Sequence, residues 1–490
     1  MSMYPDVQPL DTPSHVSQGL PPISTSRWDR TRTWWREAAQ YRFFVPLLLV
    51  ILALSLYLPR LAEPDKYLFD EILFAYTAGQ YAEGNPDVHR YDHACSTGKN
   101  AERCGELYPD HQVGTRIGRF QWDHPPFAKL VMAGGILILG NDPVGWRISS
   151  VIVGVAGILV VYYLARYVTG RQAIGVLAAG LLMMDGMYLV YSRMGLVDIY
   201  LTVLSMSSVF ALAWYLKRPF HQVRAPLLLI GLFMGLSIAT KWSAAYGAFF
   251  VGLVVLGRFA WTWWTHRQQA PTSMRGPGYL QHIIWVPLAL IVLPLAVYIG
   301  SYIPLFLDGY SFGYFIDLQK EMLNYHAHFS ADPPTASRWW SWPLDMRSVW
   351  FGTRSLEDGR TARTYALGNP ILYWAFLPAV AWTLYRWWKS QNHVALLVLA
   401  VGFFGQWLPW VFIERTTYLY HFLPSVPFGC LAVAATLVYI HDHWRDWRRT
   451  LAIEYVVLVV LAFAFFYPIV AYYPLSQWAL GIRMWLPSWI

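Results

Sequence analysis

The stretch Phe127-Ala128-Lys129-Leu130-Val131-Met132-Ala133-Gly134-Gly135-Ile136-Leu137-Ile138-Leu139-Gly140 decides how the chain is threaded. It is apolar, yet shorter than the ~20 residues a helix needs to cross a bilayer. Short cytoplasmic loops carry an excess of Arg and Lys. Arg27, Arg30, Arg32, Arg36 and Arg42 therefore place the N-terminus in the cytoplasm. Counting 127–140 as a span would put the basic loops at Arg166/Arg171, Lys217/Arg218/Arg224 and Arg258/Arg267/Arg275 outside. Reading it as a helix lying in the interface puts them inside, in agreement with Arg386/Lys389 and Arg445/Arg448/Arg449. The second reading is adopted.

Outward from that stretch, apolar runs at 43–62, 147–167, 173–191, 196–216, 224–240, 243–263, 281–303, 369–387, 393–413, 419–440 and 451–473 give about eleven spans. The expected architecture is an all-α integral membrane protein, N-terminus in and C-terminus out. Two large outer loops, 63–146 and 304–368, carry interfacial helices. A cytoplasmic tail (1–42) precedes a module of seven spans (43–303), and four more spans close the chain (369–490). The chain is 56% hydrophobic and 13% charged, which excludes a soluble protein of this size. Its +8 formal charge lies in inter-span loops, the signature of topology and not of a nucleic-acid face. No cleavable signal peptide is apparent, and the Pro/Ser-rich N-terminal residues read as a disordered tail. Cys95 and Cys104 share one outer loop, where a disulfide and two free thiols are both open.

With topology fixed, the informative charges sit at outer ends of spans, where cations are scarce. They are Lys129, Arg147, Arg193, Lys241 and Arg415. Any one of them alone reads equally as a snorkelling anchor or as a salt-bridge partner of Asp185 or Asp198. Five at one level suit an anionic group such as a phosphate. The Asp70-Glu71 pair faces the same side, and a carboxylate beside a phosphate site fits deprotonation of a hydroxyl while a phosphate leaves. His124, before Pro125-Pro126, with His326, His328 and His421, lacks a zinc spacing, so hydrogen-bonding or substrate contact is favoured over metal. Trp339, Trp340 and Trp342 suit a sugar platform and interfacial anchoring equally.

These residues stand in a familiar order: Phe69-Asp70-Glu71; Asp123-His124-Pro125-Pro126-Phe127-Ala128-Lys129; Gly145-Trp146-Arg147; Asp185, Ser192-Arg193 and Asp198; Thr240-Lys241-Trp242. Downstream come Tyr325-His326, Ser337 with Trp339, Trp342 and Pro343, Gly368-Asn369-Pro370, then Arg415, Tyr420-His421 and Pro424. The sequence resembles the protein O-mannosyltransferases, membrane glycosyltransferases of the GT-C fold. The resemblance implies an inverting transfer of mannose from a polyprenyl-phosphate-mannose donor to Ser or Thr hydroxyls of proteins, on the extracytoplasmic face of the plasma membrane. It implies Asp70 as catalytic base, Glu71 as an aid to acceptor placement or to the fold, and Arg147 as the donor-phosphate ligand. The topology adds Lys129, Arg193, Lys241 and Arg415 as a second tier of phosphate ligands. Asp123, His124, His326, Tyr420 and His421 are expected to contact substrate. No metal or other cofactor is obligatory, because the leaving group is an anion that needs charge stabilisation and no general acid.

Two departures from the family pattern matter. The second outer loop lacks the MIR-type β-trefoil insertion of eukaryotic members, which implies a bacterial or archaeal type. Asp332-Pro333 stands where many members have His-Pro, which bears on acceptor recognition. The rival readings are a relative moving aminoarabinose or another sugar onto a lipid or glycan, a transporter, and a noncatalytic scaffold. The charges gather at the outer surface and not at the midplane, which counts against the transporter.

Overall fold

The computed structural model describes residues 43–91, 112–113, 116–117, 120–269, 277–328 and 333–489. The chain divides into Met1–Leu47, of which only the last five residues are described, and Leu48–Ile490. The tail arginines, Cys95, Cys104 and Asp332 lie outside the described residues.

Every one of the expected spans is helical, but they are not eleven equal crossings. Seven of the described helical segments are long and apolar enough to cross a membrane: Pro143–Thr169, Asp198–Lys217, Ala244–Thr265, His282–Gly300, His393–Phe412, Leu419–His443 and Trp447–Val470. Phe44–Tyr57, Gln172–Met183 and Arg224–Ile238 are shorter, and Pro370–Lys389 is diluted by Tyr and Trp. Phe127–Leu139 is a 13-residue helix, about 20 Å long, too short to cross a ~30 Å hydrocarbon core upright. The run expected at 173–191 is broken in the middle. Asp185 takes extended backbone angles there and its carboxylate accepts from the Tyr188 amide at 2.7 Å, so it starts a new helix, Gly186–Tyr191. A short polar side chain that satisfies an orphan amide is the usual reason for such a start.

The His282–Gly300 span is only 17% buried within the protein, against 78% for Leu419–His443. The former is therefore a peripheral, lipid-facing helix and the latter a central one. Pro287 and Pro294 bracket a π-turn at Leu288–Val292, where missing amide donors loosen the α-helical ladder. Against this turn packs Arg224–Ile238 through Gly231 and Gly235. A Cβ on Gly231 would meet the Ala289 carbonyl at 2.3 Å, so only glycine permits the approach.

The second outer loop is not purely helical. After Phe312–His328 and the turn Trp339–Leu344, strands Val349–Ser355 and Thr361–Ala366 form a hairpin, extended by Pro474–Leu475. The Asp358-Gly359 turn carries this hairpin, with Gly359 at φ +78°. Stacking of Phe69 on Phe351, at 4.3 Å and 3° between planes, docks the hairpin beside the Asp70 turn.

Candidate active site

Asp70 occupies the N-cap position of helix Glu71–Ala82 yet makes no side-chain cap hydrogen bond. Phe69, at φ +50°, turns the chain sharply just before it. The Asp70 side chain lines a cavity of about 300 Å³ together with Asp123, His124, Asp198, Lys241 and Arg415. Tyr191, Tyr325, His326, Tyr418, Tyr420 and His421 complete its polar wall. Eight of the twelve expected site residues thus converge on one space from elements far apart in sequence.

The other four are used differently. Glu71 is fully buried, and its carboxylate accepts from Leu68 N at 3.0 Å, Gly195 N at 2.8 Å, and Arg147 Nε and Nη2 at 2.8 Å each. Arg147, 1% exposed, spends its remaining N–H groups on the carbonyls of Leu61, Pro64 and Lys66 at 2.9–3.2 Å. The expected phosphate ligand therefore has no donor left to offer, because five N–H groups already meet five acceptors. Glu71 is a clamp that fixes the turn carrying Asp70 and does not line the cavity. Lys129 points back to the carbonyls of Gln121 and His124, the latter at 2.9 Å, and secures the His-Pro-Pro turn. Arg193 donates to the Pro59 carbonyl at 2.6 Å and is 5% exposed. Lys129, Arg147 and Arg193, expected as phosphate ligands, thus lie outside the lining of this chamber and hold the loops around it.

Among the described residues, Lys241 and Arg415 remain as the cavity's cations. Lys241 Nζ donates to Asp198 Oδ1 at 2.8 Å and lies 5.1 Å from the Tyr420 ring centre. Arg415 Nη1 faces His326 Nδ1 at 3.5 Å, and His326 Nε2 meets the Asp123 carbonyl at 2.7 Å. This places the imidazole proton on Nε2 and leaves Nδ1 to accept. Burial, then the Arg415 charge, pushes His326 down to about 4, so the ring is neutral at physiological pH. His124 is held well below its ordinary value by burial and by Lys241, and stacks between Phe74 and His326 at 5.7 and 5.1 Å. Its Nδ1 is buried with no hydrogen-bond partner among the described residues. His421 Nδ1 lies 3.0 Å from both the amide and the carbonyl of Tyr418, which holds the ring at the chamber wall. Asp123, His124 and His326 bring ligand atoms within 4.8 Å of one another, which would suffice to reach one metal ion. The Lys241 and Arg415 charges beside the histidines favour an anion there instead.

A second cavity, about 1000 Å³, adjoins the first and shares His124, Lys241, His326 and Arg415 with it. Its far wall is apolar: Ile238, Leu290, Ile291, Pro294, Leu295 and Phe412. Ile291 and Leu295 belong to the peripheral His282–Gly300 span and are 64% and 54% exposed, so the groove opens toward lipid. The sequence carries no signal for this groove or for Tyr191 and Tyr418 as cavity walls, which depend on tertiary packing; Asp198 stands in the sequence as a salt-bridge partner and as part of the family pattern.

Two family models match the chain. Residues 140–308 match the dolichyl-phosphate-mannose-protein mannosyltransferase model, and 311–489 match the C-terminal four-span region of protein-O-mannosyltransferase. A polyprenol-phosphate-mannose–protein mannosyltransferase of Mycobacterium tuberculosis is 27% identical over 79% of this chain and 85% of its own length. The Mycolicibacterium smegmatis protein of the same name is 28% identical over 75% and 81%. Among solved structures, the Saccharomyces cerevisiae protein O-mannosyltransferase Pmt1–Pmt2 complex bound to the sugar donor superposes with a TM-score of 0.73, at 15% identity, over 91% of this chain and 92% of that one. ArnT from Cupriavidus metallidurans bound to undecaprenyl phosphate gives 0.51 at 15% identity, over 89% and 75%. The fold is that of the GT-C glycosyltransferases.

Proposed function

The chain belongs to the protein O-mannosyltransferase family, and we propose that it transfers mannose from a polyprenyl-phosphate-mannose donor to Ser or Thr hydroxyls of proteins, with inversion at the anomeric carbon. The observation that carries this reading is the continuity of the two cavities. A lipid-facing apolar groove leads to a carboxylate-lined chamber, and His124, Lys241, His326 and Arg415 stand at the junction. A polyprenyl chain fits the first, a hexose the second, and the phosphate linking them falls at the junction.

The reaction then needs little machinery. The acceptor oxygen attacks C1 while Asp70 takes its proton. The bond from C1 to the phosphate oxygen breaks, and the lipid phosphate departs as a monoester. Lys241 and Arg415 meet the charge gained by that leaving group, so no proton need be delivered to it. No metal is required in this scheme. Asp123, Tyr420 and His421 remain as polar contacts for the sugar hydroxyls.

Orientation follows the basic loops. Lys217 donates to the Tyr167 carbonyl and Arg258 to the Arg218 carbonyl, so the Arg/Lys-rich helix ends meet one another. They lie about 30 Å from Arg147 along Pro143–Thr169. Basic ends face the cytoplasm, which supports an extracytoplasmic active site at the cell membrane. The test is purified protein in nanodiscs with polyprenyl-phosphate mannose and a Ser/Thr peptide, followed by peptide mass. Hexose added by the wild type and not by Asp70→Asn is expected. Donor turnover without peptide modification would move the acceptor to a lipid or glycan.

A further inference from the structure

A third cavity, about 560 Å³, adjoins the catalytic chamber on another side and shares Arg415 and Thr416 with it. Its lining differs in kind from that of the lipid-facing groove. Ser337, Ser341, Thr417 and Ser488 supply hydroxyls, and Arg338, Arg347 and Glu414 supply charge. A polyprenyl chain has nothing to gain there, since burying hydroxyls and charges against hydrocarbon costs free energy. The geometry points to this polar groove as the path of the acceptor polypeptide, an inference that rests on the mannosyl-transfer reading above.

Its walls are built to hold a fixed opening. Ser337 N donates to the Thr417 carbonyl at 2.8 Å, and Thr417 Oγ1 donates to the Ser337 carbonyl at 2.7 Å. That doubled tie joins segment 333–338 to segment 414–418. Along the first segment, Pro333 and Thr335 face the chamber, and Ala336, Ser337 and Arg338 line the groove. Thr416 borders both spaces, so an extended chain lying in the groove brings a hydroxyl to the chamber edge past Thr416. Arg347 is committed to the carbonyls of Pro334 and Ala336 at 2.8 and 3.1 Å and stiffens the same wall. Arg338 is exposed and has no carboxylate partner among the described residues. With Arg338 and Arg347 against Glu414, the groove is net positive. It selects Ser/Thr segments whose flanks are neutral or acidic over segments with basic flanks.

Two measurements test this. The first places benzoylphenylalanine three residues from the Ser/Thr of a synthetic peptide and irradiates it with the full-length protein in nanodiscs; this needs no turnover. Adducts at Met346 or within 336–341 and 414–417 are expected; adducts confined to other segments, or none, overturn the groove. The second compares KM for two peptides that differ only in an Asp-Glu or a Lys-Lys flank. Wild type is expected to favour the acidic flank by about tenfold, and Arg338→Glu to reverse the order while leaving the donor KM within twofold. Mannosylation of both peptides with KM values that Arg338→Glu leaves untouched would also overturn the groove. A peptide that crosslinks in the groove but gains no hexose would uphold the groove and sink the mannosyl-transfer reading alone.

Discussion

Arg147 separates two accounts of the site. If its guanidinium held the donor phosphate, Arg147→Ala would raise the donor KM and leave the fold alone. The structure predicts the opposite. Removing it strips Glu71 of two charge-assisted bonds and leaves a carboxylate buried at 0% exposure, while three carbonyls lose their donors. Breaking a buried pair from one side costs about 3–5 kcal/mol. Arg147→Lys rescues little, since one ammonium cannot span the planar fork that reaches Glu71 and three carbonyls. The combined Glu71→Gln, Arg147→Met protein is expected to be less damaged than the two single losses added, because it abandons no charge. The assay is the denaturation midpoint of nanodisc-embedded variants, read beside donor KM on whatever fraction stays folded. Arg147→Lys with a wild-type midpoint and a donor KM raised tenfold would refute this reasoning and return Arg147 to the phosphate.

Asp70→Asn is expected to fold normally and lose ~10²–10⁴ in turnover, the usual cost of a missing general base; a rate within threefold of wild type removes Asp70 from the chemistry. Arg415→Ala should raise the donor KM more than the acceptor KM, as measured with a soluble short-chain donor, whereas Arg193→Ala should alter stability and neither KM. Asp345 gives a pH prediction. It is fully buried, and burial pushes its carboxyl up to about 8. The folded state therefore holds a proton that the unfolded state releases near 4, and stability declines as pH rises from about 4 through 8. Asp345→Asn should flatten that slope and raise the melting temperature at pH 8, since Asn tolerates the φ of +51° and still accepts from Gly368 N. Identical pH–melting curves for variant and wild type would contradict the assignment.

The helices were legible because bilayer thickness forces long apolar runs, and the loop arginines fix their sense. The reach of each cation was not legible. Lys129, Arg147, Arg193, Lys241 and Arg415 look alike as letters at span ends; what separates them is whether the fold turns them to backbone carbonyls of the loops or into the chamber. Arg147 finds five acceptors and is saturated, Lys129 and Arg193 turn to backbone carbonyls outside the chamber, and two face the cavity. That distinction depends on turns at 59–66 and 121–126, whose course no periodicity predicts. The break at Asp185 and the hairpin at 349–366 had local signals, a capping Asp and an Asp-Gly turn, but long apolar context and loop placement masked them. The three cavities left no trace in the sequence, because each is lined from at least three separated segments.

The charge arrangement decides which cation of the chamber an incoming phosphate can recruit. Here Lys241 is paired with Asp198 at 2.8 Å, and Arg415 leans on the neutral Nδ1 of His326 at 3.5 Å. Asp198 and His326 thus take up the two cations before a donor binds. An incoming phosphate competes for Arg415 against an uncharged ring at a long distance, which is a weak rival. Lys241 is the harder cation to recruit, held by a full carboxylate. The guanidinium at the meeting point of all three cavities is therefore the one best placed to follow the phosphate as its charge grows, with Lys241 supplying a fixed field behind it.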